Sequence, residues 1–199
     1  MKLLKHFFNF YIDSSIHVSL SVCCLQAMIM IKYCSSINNN LLYFTFFSSL
    51  LAYNFIKYFK FIIDNYNNIS YKIKVIIVIS IFSFLSAFFF TFYLSLYEIV
   101  LVSFAGIITF LYAIPTFLIS NYNLRATKGL KIYLVALVWT LITVLLPLQF
   151  YKDLGLLFIL LIFIQIFIYV LIVIIPFEIR DIDIDDTRLS TIPQKIGIR

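Results

Sequence analysis

Charge is what this sequence has least of. Only 12% of its 199 residues are Asp, Glu, Lys or Arg, against 63% hydrophobic, and the mean hydropathy is +1.06. Those values exclude an ordinary soluble globular domain. Acids are scarcest: there are nine, and five of them (Glu178, Asp181, Asp183, Asp185, Asp186) crowd into nine positions after the last apolar run. The three cysteines, Cys23, Cys24 and Cys34, lack CxxC spacing and are odd in number, so they read as buried apolar thiols. Alternating apolar and polar residues, the mark of a membrane barrel strand, are missing too. So is a small-residue cleavage site after "MKLLKHFFNFYIDSS", which therefore reads as a cytoplasmic lead-in.

What remains is long apolar runs. A hydrocarbon core of about 30 Å takes roughly 20 apolar helical residues. Six segments reach that length, near 14–33, 41–62, 73–95, 98–119, 130–149 and 154–176. Backbone polar groups in lipid must pair within their own segment, so the expected fold is all-α: one multi-pass transmembrane helical bundle. Pro115 and Pro147 lie within or at the ends of these runs and mark a kink or a stop. With the N-terminus in the cytoplasm, thirteen of the fifteen basic residues fall on that side and only Lys32 and Lys152 on the other. This positive-inside bias places both termini in the cytoplasm. Basic residues at helix ends account for the net charge of +6 through topology and anionic lipid, and with no soluble basic module nucleic acid is not an expected partner. Apolar spans nearly free of charge argue against a transporter. His17 and Trp139 read as packing residues.

The acid cluster sits at the cytoplasmic end of the last span. Glu178, Asp181 and Asp185 share one face if that helix continues, because positions i, i+3 and i+7 align. Carboxylates so placed either stay in water, paired with Arg180, Arg188 and Lys195, or hold Mg²⁺ against a phosphate-bearing ligand. Arg180, Lys57 and Arg125 are the basic candidates beside such a ligand.

"RDIDIDDTRLSTIPQKIG" resembles the second aspartate-rich motif of the UbiA superfamily of intramembrane prenyltransferases. Asp181 and Asp185 match its D-x-x-x-D, Thr191-Ile192-Pro193 its turn and Ile196-Gly197 its close. "AYNFIKYF" stands where the family carries its first motif, N-D-x-x-D-x-x-x-D, and "FLYAIPTF" with "LKIYLVALVWT" is similar to its Y-x-x-P segment and following helix. The resemblance spans about residues 10 to 199 and is closest to short, divergent bacterial members. It implies a UbiA-like bundle in the bacterial inner membrane. The implied activity moves an isoprenyl group from a diphosphate to a lipophilic acceptor, with Mg²⁺ on Asp181 and Asp185 as the catalytic pair. Asn54, Lys57, Arg125 and Arg180 would bind the diphosphate. Two departures stand against it. Phe55, Tyr58 and Ile62 occupy the positions of the first motif's acids, with Asn54 alone kept. The family has about nine helices, so the chain is a fragment, or another chain completes the bundle, or the cavity is incomplete. The alternative is a non-catalytic UbiA-like membrane protein that binds a lipid or a partner, with Lys57 paired to Asp181 or Asp185.

Overall fold

The computed structural model describes residues 2–64, 69–113, 130–151 and 154–180. Seven α-helices are present among them: α1 (Lys2–Asp13), α2 (Ile16–Tyr33), α3 (Asn39–Asp64), α4 (Tyr71–Thr91), α5 (Leu96–Ala113), α6 (Leu130–Thr140) and α7 (Leu156–Arg180). No strand forms among the described residues. The chain falls into two compact units, residues 1–99 with 150–152, and residues 100–149 with 153–199.

Five helical stretches are long and apolar enough to cross a membrane: Ile16–Tyr33, Tyr71–Thr91, Leu96–Ala113, Ile132–Phe150 and Leu156–Pro176. They correspond to five of the six expected spans. The other expected span, 41–62, lies in α3, which has 26 residues but is not in that set. Asn39, Asn40, Thr45, Ser48, Ser49 and Asn54 lower its hydropathy. Its setting explains why it can carry them, because α3 packs against both α2 and α4.

In the first unit, α3 runs antiparallel to each neighbour. Cys23 Sγ in mid-α2 contacts the Leu42 carbonyl near the start of α3, and Asp13, just before α2, contacts Lys57 and Tyr58 near its end. Against α4, Tyr43 and Phe47 meet Phe90, while Asn54 meets Ser80. Leu41, Phe44 and Leu50 of α3, Val22, Ile29 and Met30 of α2, and Ile76 of α4 form the apolar core of the unit. At the end opposite Asp13, the Ser35 N–H and hydroxyl both donate to the Phe150 carbonyl, at 2.8 and 3.2 Å.

The second unit packs α6 against α7, with Ile132, Ala136, Val144, Ile162, Ile166 and Val170 buried. The span expected at 130–149 is not a uniform α-helix. α6 passes into a π-helical turn, Leu141–Leu145, and then a 3₁₀ turn, Leu148–Phe150. Leu146 N–H donates to the Leu141 carbonyl, five residues back, at 3.0 Å. Pro147 supplies the cause: it has no N–H, and its ring crowds the carbonyl four residues earlier, so the coil widens ahead of it. Pro176 does not end α7, which continues to Arg180. A proline removes one bond, and the turns on either side keep theirs.

Six hydroxyls inside the spans are satisfied locally. Ser80, Ser83, Thr91, Thr109, Thr140 and Thr143 each donate to the carbonyl four residues back, at 2.7–2.9 Å. This is how a polar side chain is accommodated where no water is present. Outward faces are apolar instead: Phe82, Leu85, Phe88 and Phe89 of α4, and Phe92 just after it, are all more than half exposed, a surface suited to lipid and not to water. These observations make the chain a helical membrane protein.

Candidate functional site

The densest polar cluster among the described residues sits at one end of the first unit, where α1 stops and α2 begins. Asp13 is its centre. It is the last residue of α1, so its carbonyl has no partner further along that helix. That carbonyl accepts from the Tyr58 hydroxyl at 2.8 Å and from Lys57 Nζ at 3.2 Å. The carboxylate pairs with Lys57 Nζ at 3.7 Å through one oxygen and accepts from Lys72 Nζ through the other. Lys57 Nζ also lies over the Tyr58 ring, 5.3 Å from its centroid and within the cation–π reach of about 6 Å.

Two buried serines, Ser14 and Ser15, carry the chain from α1 into α2, and Ser15 takes the left-handed conformation with φ at 60°. The turn projects Asp13 toward the end of α3 and the start of α4. Partial burial alone would raise the Asp13 carboxyl, but the Lys72 hydrogen bond and charge, with those of Lys57, outweigh it and hold it below the usual carboxylate value.

One turn deeper on α3, Asn54 is 3% exposed. Its Nδ2 donates to Ser80 Oγ of α4 at 3.2 Å, while its Oδ1 is buried with no hydrogen-bond partner among the described residues. A buried amide oxygen left unpaired costs about 1–3 kcal/mol, so the position calls for a donor. Two cations on separate helices, one carboxylate and this acceptor thus share one end of the unit. The two ammonium groups suit an anionic group carrying oxygen acceptors, and Asn54 suits a hydroxyl donor.

Of the residues expected to bind a diphosphate, the structure brings Asn54 and Lys57 onto the same stretch of α3, and Asp13 is among the partners of Lys57 there. Arg180 closes α7. Arg125, Asp181 and Asp185 lie outside the described residues, as does Pro115. Asp13, Tyr58 and Lys72 are the site residues that the sequence reading missed. One signal was available for Asp13: it is the only acid before Asp64, on a side otherwise populated by lysines.

Asp181 and Asp185, the pair expected to hold Mg²⁺, lie outside the described residues. No group of three or more His, Cys, Asp or Glu side chains is present among the described residues, and the one carboxylate at hand is engaged by two ammonium groups. No protein-family model, no curated protein and no solved structure matches this chain.

Proposed function

We propose that this chain is a multi-pass membrane protein that binds an amphiphile with a phosphate-bearing head group at the basic end of its first unit. The observation that carries the reading is the convergence of Lys57 from α3 and Lys72 from α4 on the single carboxylate of Asp13. Ammonium groups bind phosphate oxygens as point charges, and two of them on separate helices give an anion two points of attachment. The apolar, lipid-facing helices supply the surroundings that a hydrocarbon tail needs.

The resemblance of residues 181–197 to the UbiA second motif narrows the amphiphile to an isoprenyl diphosphate and the activity to transfer of its prenyl group to a lipophilic acceptor. In that reading Asp181 and Asp185 are the catalytic pair that holds Mg²⁺, and Arg125 and Arg180 join Asn54 and Lys57 on the diphosphate. When bound there, Mg²⁺ would stabilise the departing diphosphate as charge develops on it. A second reading has its own support in the engagement of both lysines by Asp13. They then clasp α1, α3 and α4 together in a non-catalytic UbiA-like protein that binds a lipid or a partner.

Binding of a long-chain isoprenyl diphosphate to the purified full chain, with and without Mg²⁺, separates these. The catalytic reading expects metal-dependent binding that is lost in Asp181→Asn and Asp185→Asn. Metal-independent binding weakened by Lys72→Gln leaves the head-group site and removes the family's chemistry. No binding under either condition overturns both and leaves the clasp.

A further inference from the structure

Residues Lys2–Asp13 form a helix with an apolar side that none of the described residues covers. Leu4, Phe7 and Phe8 are 73%, 70% and 60% exposed, and they recur at the i, i+3, i+4 spacing that continues to Tyr11. Lys5, His6, Asn9 and Asp13 take the opposite side of the same 3.6-residue period. Three large apolar side chains on a 12-residue helix are too costly to leave in water. Twelve residues extend only about 18 Å, too short to cross the hydrocarbon core. The helix is also separated from α2 by the left-handed turn at Ser15, so it is not an extension of the first span. Lys2 and Lys5 are the only formally charged residues before Asp13, which gives the segment a positive sign.

We propose that α1 is an interfacial helix that docks on the anionic leaflet of the membrane in which the protein sits. Leu4, Phe7, Phe8 and Tyr11 enter the boundary between head groups and acyl chains, and the lysines meet anionic head groups. The amphipathic period, basic sign and short length are those of helices that lie in the plane of the interface. Asp13 anchors the far end of the helix. Its carbonyl and carboxylate are held by α3 and α4, so α1 leaves the bundle at the level of Lys57 and Lys72, where the span begins. This inference does not depend on what the Lys57 and Lys72 end binds.

The test uses the full chain with Cys23, Cys24 and Cys34 replaced by serine, spin-labelled at Phe8→Cys or Asn9→Cys and reconstituted in vesicles. The vesicles are either phosphatidylcholine alone or phosphatidylcholine with phosphatidylglycerol. The expected result is opposite accessibility at adjacent positions: the label at 8 collides mainly with oxygen dissolved in lipid, that at 9 with a water-soluble nickel chelate. The label at 8 should also sit deeper with phosphatidylglycerol present, and Lys5→Gln should shrink that difference. Both labels open to the nickel chelate in anionic vesicles would overturn the proposal. So would a label at 8 shielded from both reagents, which would mean that protein covers this face.

Discussion

Asp13 takes up four contacts through two kinds of oxygen, and each has a consequence of its own. Removing the carboxylate charge in Asp13→Asn leaves Lys57 and Lys72 facing each other without an anion between them. Partly exposed ion pairs are worth about 0.2–1 kcal/mol each, so the variant should lose about 1 kcal/mol of stability, read as a lower thermal midpoint in detergent at neutral pH. The pH dependence follows from the sign of the shift. Asp13 titrates below its ordinary 3.8 in the folded chain, so its contribution is complete above that value and is lost as pH falls through the folded one. Wild type and Asp13→Asn should therefore converge in midpoint as the medium is taken below about pH 4. A gap that persists unchanged into that range would show that the variant's loss does not come from the carboxylate charge. Asn54 gives a prediction with two opposed readouts. Replacing it by leucine removes a buried acceptor without a partner and should leave the ligand-free protein as stable or more so, while head-group binding weakens. Binding unchanged in Asn54→Leu would exclude Asn54 from the site.

Single elements show where local chemistry is enough and where it is not. α5 begins with a reciprocal cap: Glu98 Oε2 accepts from the Ser95 N–H at 2.7 Å and from its hydroxyl at 2.9 Å, and Ser95 Oγ accepts from the Glu98 N–H at 3.4 Å. The S-x-x-E spacing alone encodes this cap. Glu98→Ala should cost about 1 kcal/mol, and more rapid amide hydrogen exchange in the first turn of α5 would locate the loss. The π-helical turn before Pro147 has a partly local origin, since proline disturbs the coil ahead of it wherever it stands. Which distortion results depends on what packs there. Thr143 and Val144 are buried, in the unit where α7 packs beside them, and the widened turn keeps both inside. The α1 helix has a clear amphipathic period, yet the lead-in reading passed over it, because twelve residues are too few to register as a span.

For the whole molecule, antiparallel packing puts Asp13, Lys57 and Lys72 at one end of the first unit and Ser35 at the other. If α2, α3 and α4 each cross the membrane, those ends lie in different compartments. Single cysteines at Lys72 and Ser35, in a chain lacking the native three, should react with an impermeant thiol reagent from opposite sides of intact cells or vesicles. If the positive-inside distribution sets the orientation, Lys72 is the one labelled from the cytoplasmic side. Labelling of both from the same side would show that α3, the least apolar of the long helices, does not cross.

The sequence by itself determined the helical, membrane-embedded character, the position of five spans and the basic asymmetry between the two ends. Those features are legible because hydropathy, helix length and charge at span ends are sums over neighbouring residues, and backbone pairing in lipid allows a run of apolar residues little choice but a helix. Only the tertiary structure decided that Lys57 and Lys72 meet at Asp13, that Asn54 bonds Ser80 and keeps one oxygen unpaired, and that polar α3 lies between two apolar neighbours. These pairings join residues 26 to 59 positions apart. They depend on which helix faces pack and on the turn at Ser15, and no local sum over the sequence carries that information.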